Sequence, residues 1–330
     1  MEKRQLPGTD IEITPIVFGA FAIGGWFWGG AEPSDALAAI DTALDRGINA
    51  IDTAPVYGMG HSEELIGKAI RGQRARVVIL TKFGMRWDSA EGVFTFDTKD
   101  NAGNPVQVRK FAGKHSVLEE CERSLRRLQT DYIDLYQLHW PDRTTPIAET
   151  MEALSVLLEQ GKIRAAGVCN CPSELLEEAR RSLPVVSDQV AYNVVNREIE
   201  ANLVPYCTNN KIGILAHTIL LKGLLTGKIK PGHSFLEGDH RPQSAYFKKS
   251  NIEKIYAALQ SLGEIANAKN ASLAQLVTNW TMHRPGITAV LVGARNAQQA
   301  LDNVGAAGFT LNAEENERIE ATLGCLTLDL

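Results

Sequence analysis

The sequence predicts an α/β fold, a single (β/α)8 TIM barrel domain that spans residues 1–330. Eight short apolar runs alternate with stretches of helical periodicity along the chain. No shift in composition divides these units into two parts, as a two-domain protein would require. The glycine-rich segment 24–30 also lacks the G-x-G-x-x-G spacing of a dinucleotide-binding turn. An open, doubly wound sheet in two domains is therefore the weaker alternative.

The eight apolar runs have the length of strands rather than helices. In chain order they are 16–20, 48–52, 77–81, 132–139, 163–168, 187–190, 212–216 and 288–292. An N-terminal β-hairpin is predicted over 5–14, because residues alternate there around the turn sequence Pro7-Gly8-Thr9-Asp10. The barrel is thus expected to follow a short antiparallel element.

Helical periodicity fills the segments between the strands. The predicted helices are 34–46, 62–70, 115–128, 147–160, 173–181, 199–209, 251–269, 273–283 and 296–306. Ser34, Ser62 and the Ser116/Glu119 pair stand where helix caps are expected. Segments 83–114 and 217–249 show little periodicity and predict long loops at the carboxyl-terminal face of the barrel, where long loops are usually functional or mobile.

Composition limits the class of partner and the compartment. The net charge is −5, the pI is near 5.9, and no lysine or arginine stripe dominates, which argues against binding to nucleic acid. The N-terminus lacks an apolar signal core, and no apolar run is long enough to span a membrane. The five cysteines are Cys121, Cys169, Cys171, Cys207 and Cys325. An odd set without a C-x-x-C pair or metal-ligand spacing predicts reduced thiols in a cytoplasmic protein. Nothing in the sequence indicates the oligomeric state.

Ionisable residues follow three neighbouring predicted strands. Asp52 and Tyr57 come at and after the second strand, Lys82 after the third, and His139 at the end of the fourth. Residues just past the carboxyl ends of barrel strands share one face. Each residue alone has a structural explanation, such as a helix start, a half-buried aromatic ring or a solvated lysine. Together they predict a site, because clustered ionisable groups are costly unless they are paired.

The residue types suit proton transfer to a carbonyl oxygen. A tyrosine hydroxyl titrates near ~10, and a nearby ammonium group favours the tyrosinate and lowers that pKa. A carboxylate can hold the ammonium in place, and a histidine can orient the carbonyl oxygen. Protonating an alkoxide as hydride arrives fits this set, and the hydride requires a bound cofactor.

A second signal follows the eighth strand. Gly293, Arg295 and the start of a helix come directly after it, and a helix N-terminus with an arginine binds phosphate. The structural alternative is a capped helix with a surface arginine. Asn170 and Gln189, which follow or lie on the fifth and sixth strands, would share the same rim.

Several spaced motifs resemble the aldo-keto reductase superfamily, of the bacterial NADP-dependent type, over nearly the full chain. They are Asp52-Thr53-Ala54-x-x-Tyr57-Gly58, Ser62-Glu63-x-x-Ile66-Gly67, Thr81-Lys82, Leu138-His139-Trp140-Pro141-Asp142, Gly161-Lys162-Ile163-Arg164, Gly223-Leu224-Leu225-Thr226-Gly227-Lys228 and Gly293-Ala294-Arg295. Their order along the chain makes the resemblance far more specific than one motif would be.

The resemblance implies a (β/α)8 barrel that binds NADP(H) without a Rossmann domain. It implies Tyr57 as general acid/base, Lys82 and Asp52 as its partners, and His139 as the residue that orients the substrate. Asn170 and Gln189 would hydrogen-bond the nicotinamide carboxamide. The full implied cofactor set is Cys169, Asn170, Gln189, His217, Thr218, Leu220, Lys228, Gly293, Arg295, Gln299 and Asn303.

The chain departs from the family pattern at three places near the cofactor. Cys169-Asn170-Cys171 stands where the family often has Ser-Asn-Phe. His217 stands at the position of the aromatic ring that stacks on nicotinamide, and Asp302 replaces a glutamate near the adenine end. None of these changes affects the predicted catalytic residues.

The expected function is NADP(H)-dependent interconversion of an alcohol with an aldehyde, ketone or aldose. The alternative is a non-catalytic, cofactor-sensing subunit that resembles the β subunits of potassium channels. The short segment before the hairpin and the absence of coiled-coil heptads favour the enzyme. A barrel acting on sugar phosphates without hydride transfer fits less well, because it needs no tyrosine–lysine pair.

Four tryptophans are the predicted substrate wall. They are Trp26, Trp28, Trp87 and Trp140, and they favour contact with an apolar group or a sugar ring. The alternative for Trp26 and Trp28 is that they pack beneath the glycine-rich loop. The predicted partner is a small carbonyl or sugar substrate, with no nucleic acid, membrane or metal.

Overall fold

A computed structural model describes residues 1–25, 31–236 and 239–330. Eight parallel strands close into a barrel, which confirms the predicted fold class. Counting barrel strands only, they are β1 Ile16–Gly19, β2 Ala50–Asp52, β3 Val78–Phe83, β4 Ile133–Leu138, β5 Ile163–Cys169, β6 Ser187–Ala191, β7 Gly213–His217 and β8 Ile287–Gly293. Consecutive strands are hydrogen-bonded neighbours, and β8 pairs with β1 to close the cylinder.

Helices surround the barrel. In the described chain they are α1 Pro33–Asp45, α2 His61–Ala69, α3 Lys114–Leu128, α4 Ile147–Glu159, α5 Ser173–Arg180, α6 Leu203–Asn209, α7 Lys249–Ser261, α8 Gly263–Ala268, α9 Leu273–Met282, α10 Ala297–Gly305 and α11 Ala313–Gly324. The helix predicted over 251–269 is therefore two helices, α7 and α8. Helix α11 lies beyond the predicted elements. Among the described helices, none is long and apolar enough to cross a membrane.

The predicted N-terminal hairpin is present and closes one end of the barrel. Arg4–Gln5 pairs antiparallel with Glu12–Ile13. Its apolar side chains are almost completely buried, and they pack with barrel-interior residues contributed by the strands: Leu6, Ile11 and Ile13 against Val17, Leu80, Leu135, Leu215 and Ala289. Burial of each Leu or Ile is worth roughly 1.5–3 kcal/mol, so the hairpin is an integral part of the core.

The segment 83–114 is not an irregular loop, which corrects the prediction. Met85–Arg86, Val93–Lys99 and Pro105–Lys110 form a three-stranded antiparallel sheet. The last two strands, with the turn 100–104 between them, are called the rim hairpin below. Its pairing register shifts between Phe94 and Phe96. Such a bulge breaks the two-residue alternation on which strand prediction relies.

Two of the serines predicted to cap helices, Ser34 and Ser62, lie inside their helices and do not cap them. Glu32, not Ser34, precedes α1, and Pro33 fills its first position. Ser62 lies inside α2, where its hydroxyl shares a hydrogen bond with that of Thr53 and donates to the carbonyl of Ala20. The buried hydroxyl therefore ties α2 to the ends of β1 and β2 rather than to its own helix terminus.

The capping box predicted at Ser116 and Glu119 is also wrong. Helix α3 begins at Lys114, and the Ser116 hydroxyl instead accepts from Arg86 and donates to Glu120 over 3.1 Å. The backbone N–H of Gly84 donates to both carboxyl oxygens of Glu120, at 3.2 and 3.1 Å. Glu120 thus fixes the turn that directly follows β3.

The Glu120 carboxyl makes stability depend on pH. Burial raises its pKa to about 7, although Arg86 and the Gly84 N–H oppose the shift. The unfolded chain releases this proton near the usual value of 4.5, whereas the folded chain retains it to about pH 7. Because the folded state binds more protons in this window, the free energy of unfolding falls as the pH rises through it.

We expect Glu120→Gln to remove this decline, on the order of 3 kcal/mol between pH 5 and pH 8. Urea unfolding at the two pH values measures it, and the variant should gain stability over the wild type at the higher pH. Glu122→Gln is the control, because Glu122 lies on the same helix but is partly exposed and forms an ion pair with Lys162. Equal stability differences at both pH values would contradict the assignment.

Candidate active site

The four predicted catalytic side chains meet at one end of the barrel. Asp52 ends β2, Lys82 lies near the end of β3, and His139 follows β4. Tyr57 lies in the turn between β2 and α2. Because parallel strands end on one face, the barrel brings together residues that are distant in sequence.

Lys82 is the centre of the group. Its ammonium nitrogen donates to Asp52 Oδ1 over 2.6 Å, to the carbonyl of Thr53 over 2.9 Å and to Tyr57 Oη over 3.3 Å. Only 1% of Lys82 is exposed. All three ammonium donors are therefore used, and one of them points at the tyrosine hydroxyl.

The second oxygen of Asp52 is held from two other strands. Gln189 on β6 donates to Asp52 Oδ2 over 2.7 Å, and Gln137 on β4 donates over 3.5 Å. The role of Gln137 was missed in the sequence, yet it stands two residues before His139. Side chains two apart on a strand share a face, which is the signal that could have identified it. Gln189, expected at the cofactor, thus also supports the carboxylate.

Burial decides the protonation state of Tyr57. It raises the pKa of the hydroxyl to about 12, and the opposing effect of Lys82 is smaller. The expectation that the lysine lowers this pKa below its ordinary value is therefore wrong for the net shift, because desolvation of the anion outweighs the attraction. At neutral pH the Tyr57 side chain is therefore a neutral hydroxyl, which carries a proton that it can donate.

The pKa values of both charged partners are shifted as well, that of Asp52 by burial and that of Lys82 by its neighbours. Burial raises the pKa of Asp52, and the Lys82 ammonium opposes that shift. Burial alone would lower the pKa of Lys82, but Asp52 and Tyr57 together raise it above its usual value. The lysine therefore stays cationic beside the tyrosine hydroxyl.

His139 faces the ring of Tyr57. The ring centroids are 5.8 Å apart and the planes are nearly perpendicular, at 80°. Burial, with Lys82 next in importance, lowers the pKa of His139 well below its ordinary value. A neutral imidazole can donate one hydrogen bond to a carbonyl oxygen without competing with Tyr57 for the role of acid.

His217 is fixed by residues at the ends of β5 and β7. Its Nε2 lies 3.1 Å from Asn170 Oδ1, and its Nδ1 lies 2.7 Å from the hydroxyl of Thr218. Because an amide oxygen only accepts, Nε2 carries the proton and Nδ1 accepts from Thr218. Burial, followed by Lys82, lowers the pKa of His217 to about 4. The ring is therefore neutral and held in one orientation.

Left-handed backbone is concentrated beside His217. Asn170 and Thr218 have φ of 57° and 60°, and the run Leu221, Lys222 and Gly223 has φ of 46°, 52° and 93°. Non-glycine residues adopt this conformation only at a cost of about 1–3 kcal/mol, and such strain clusters at ligand sites. Asn170 also donates from Nδ2 to the carbonyl of His139 over 3.2 Å.

Two other predicted cofactor residues, Leu220 and Lys228, form hydrogen bonds within their own segment. Leu220 precedes the left-handed run, and its carbonyl accepts from the N–H of Gly223 over 2.9 Å. Lys228 is exposed, and its backbone N–H donates to Thr226.

The segment after β8 forms a compact turn. The N–H of Arg295 donates to the side chain of Gln299 over 2.9 Å, and the side chain of Asn303 donates to the carbonyl of Gly293 over 3.0 Å. Asn296 caps helix α10 by accepting from the N–H of Gln299. Arg295 is exposed and, within the described residues, has no ion-pair partner. Its guanidinium is therefore free to meet an anion.

Cys169 lies at the end of β5, opposite Gln189 in the strand register, and only 1% of it is exposed. Burial raises the pKa of its thiol well above the ordinary value, so it is neither a thiolate nor a nucleophile.

The predicted substrate tryptophans occupy different surroundings. Trp87 is half-buried and packs in an apolar cluster with Tyr57. Trp140 is 38% exposed, and the ammonium of Lys110 lies 4.7 Å from the centre of its ring. Trp26 and Trp28 lie outside the described residues.

Two named relatives align with nearly the whole chain. Aldo-keto reductase YhdN of Bacillus subtilis (strain 168) is 39% identical over 328 residues, which are 98% of this chain and 94% of the relative. The NADH-specific methylglyoxal reductase of Escherichia coli (strain K12) is 33% identical, with 94% and 95% of the two chains covered.

Two solved structures are also similar to this chain over nearly its whole length. The glycerol dehydrogenase AKR11B4 from Gluconobacter oxydans superimposes with a TM-score of 0.88 at 34% identity and covers 98% of this chain and 95% of its own. An aldo/keto reductase from Klebsiella pneumoniae, in complex with NADP and acetate, gives a TM-score of 0.73 at 28% identity, with 97% and 95% covered.

The family model described as the Aldo/keto reductase family matches residues 15–323. That span contains every barrel strand and all the residues predicted above to act in catalysis or cofactor binding. On this match and on the relatives, the chain belongs to the aldo/keto reductase family.

Proposed function

We propose that the protein is an NADP(H)-dependent oxidoreductase that interconverts a carbonyl compound and its alcohol, with Tyr57 as the general acid/base. The observation that carries the proposal is the neutral, buried Tyr57 hydroxyl held 3.3 Å from the ammonium of Lys82. Two similar proteins are named as a methylglyoxal reductase and a glycerol dehydrogenase, which supports carbonyl–alcohol chemistry.

The residues at the β7 and β8 ends fit a dinucleotide. Arg295, exposed and without an ion-pair partner among the described residues, follows β8, and the strained left-handed run 221–223 follows the adjacent strand β7. Arginine and oriented backbone N–H groups are the usual donors to phosphate. When bound, the cofactor supplies the hydride that the carbonyl carbon accepts. Arg295, Gln299 and Asn303 would hold the adenosine end and its 2′-phosphate.

Tyr57 completes the reduction by proton transfer. Its O–H bond breaks, the proton passes to the substrate oxygen, and the tyrosinate that remains lies beside the Lys82 ammonium. Asp52 keeps that ammonium in place. The neutral His139 donates to the substrate oxygen and so fixes its position. In the direction of alcohol oxidation, the tyrosinate takes the hydroxyl proton.

The remaining predicted residues are assigned around this reaction. Asn170 and Gln189 would bind the nicotinamide carboxamide, and His217 would stack on the ring, with Cys169, Thr218, Leu220, Lys228 and Gly293 along the cofactor. Trp87 and Trp140, with Trp26 and Trp28, would contact the substrate. The free cysteines of the described chain fit a reducing compartment such as the cytoplasm.

Tyr57→Phe should reduce kcat/KM for aldehyde reduction by roughly 10²–10⁴-fold, since it removes the proton donor. NADPH binding, measured by fluorescence titration, should stay near the wild-type value. Tyr136→Phe is the matched control, because the Tyr136 hydroxyl is buried in the core and has no partner among the described residues. Unchanged turnover of Tyr57→Phe would refute its role.

Arg295→Ala should weaken NADPH binding by about 10–100-fold, because a charge-assisted contact to the 2′-phosphate is lost. NADH lacks that phosphate, so its affinity should change little. Calorimetric titration of both cofactors measures the difference. An equal loss for NADH and NADPH would remove Arg295 as the residue that selects NADP.

His217→Ala should weaken NADPH binding by roughly tenfold, and His217→Tyr should retain it, if a flat ring at this position stacks on nicotinamide. Fluorescence titration provides the measurement without turnover. Because burial lowers the pKa of His217 to about 4, the stacking contribution should not change between pH 6 and pH 8. Equal affinities of the two variants would contradict the stacking role.

A further inference from the structure

The rim hairpin packs against the wall that carries the catalytic tyrosine. A separate apolar cluster joins Tyr57 to Met85 and Val108, with Trp87 and Phe96 partly buried against it. Val108 belongs to the second hairpin strand and Phe96 to the first. One face of the hairpin therefore covers Tyr57.

The tip of the hairpin is a firmly built turn. Asp100 Oδ1 accepts from the backbone N–H groups of Ala102 and Asn104 at 2.9 and 2.8 Å, and Asp100 Oδ2 accepts from the Asn104 side chain. Gly103 supplies the left-handed conformation that the turn requires, with φ of 86°. Asn101 lies within this turn, so these hydrogen bonds fix the backbone that carries its side chain.

Asn101 fastens the tip to the catalytic turn. Its Nδ2 donates to the carbonyl of Gly24 over 3.1 Å and lies 3.5 Å from the carbonyl of Gly58. Gly58 directly follows Tyr57, and Gly24 lies just beyond β1. The amide thus bridges segments that are 77 and 43 residues away in sequence.

The two glycines leave no free space at this junction. A Cβ on Gly58 would lie 1.8 Å from the carbonyl oxygen of Gly24, and one on Gly24 would lie 2.8 Å from the carbonyl carbon of Tyr57. Gly58 also has φ of 66°, which disfavours any other residue. Because these backbones are in direct contact, a tip held on them is held on Tyr57.

Access to the reacting atoms is narrow. Tyr57 and His139 are each only 9% exposed. Resting on the proposed carbonyl chemistry, we propose that Asn101 is a positioning and specificity-determining residue that latches the rim hairpin across the tyrosine turn. The latched hairpin restricts the site to small carbonyl compounds, and bulky aldehydes are excluded until the hairpin moves.

The proposal predicts that Asn101→Ala loosens the hairpin and relaxes the selection by size. Loss of a neutral hydrogen bond of this kind corresponds to about a two- to tenfold change in an equilibrium. Hydrogen exchange of peptides from 93–110 should accelerate by that factor in the free protein. The ratio of kcat/KM for 2-naphthaldehyde to that for propanal, followed by NADPH consumption, should rise by a similar factor.

Gln107→Ala is the matched control on the same hairpin. Gln107 is exposed, and among the described residues its side chain bonds only within the hairpin, donating to Asp97 and accepting from Arg109. It makes no bond to the tyrosine turn there, so neither readout should change. Asn101→Asp is the second test variant, because it keeps the side-chain size and replaces the donor with an acceptor. It should behave like Asn101→Ala, and it keeps the test valid if the alanine variant fails to fold.

The two readouts separate the possible failures. Unchanged exchange in both Asn101 variants would overturn the latch, and faster exchange with an unchanged aldehyde ratio would overturn its role in specificity. If the wild-type protein reduces neither aldehyde, the proposed carbonyl chemistry fails. The exchange comparison would then still decide whether Asn101 holds the hairpin, since it needs no substrate.

Discussion

The ion pair between Lys82 and Asp52 is the interaction on which the site depends. Both side chains are almost fully buried, and a buried charge that loses its partner costs about 3–5 kcal/mol. The barrel meets this constraint by supplying the ion pair and two amide donors to its carboxylate from four strands. Lys82 comes from β3, Asp52 from β2, Gln137 from β4 and Gln189 from β6. The tyrosine hydroxyl is tied to that arrangement, because one of the three lysine donors is directed at Tyr57 Oη.

Burial makes the ion pair costly, and it also decides which ionisable side chains of the site carry a proton. His139 and His217 are both held neutral, with Lys82 reinforcing the effect of desolvation. Tyr57 is held as the neutral hydroxyl. The site thus contains one neutral hydroxyl that can donate a proton, that of Tyr57, beside one buried cation, that of Lys82. A histidine at position 217 is compatible with this arrangement because its ring is already engaged by Asn170 and Thr218.

The sequence allowed the barrel, and the meeting of Asp52, Tyr57, Lys82 and His139 at one end of it, to be predicted because both obey local rules. Strand ends and two-residue alternation locate Asp52, Lys82 and His139, and would have located Gln137. The rim hairpin was missed because its bulge disturbs that alternation. Ser62 and Ser116 stand at cap-like positions, but their hydroxyls bond to neighbouring elements instead. The net pKa shift of Tyr57 and the contacts of Asn101 depend on burial and on distant backbone, for which no short-range pattern exists.

The N-terminal hairpin has a further consequence through Arg4. Its guanidinium donates to the carbonyls of Met282, Ile287 and Thr288, which lie 278 to 284 residues later, at the entry to the last barrel strand. Contacts of such long sequence separation form late, because chain entropy must be lost before they contribute. During synthesis, the Arg4 side chain must therefore wait for these carbonyls until the chain has been extended through residue 288. The contacts that anchor the hairpin thus include the strand that closes the barrel. A nascent chain that stops before β8 leaves the apolar hairpin without the β8 carbonyls and side chains against which it packs.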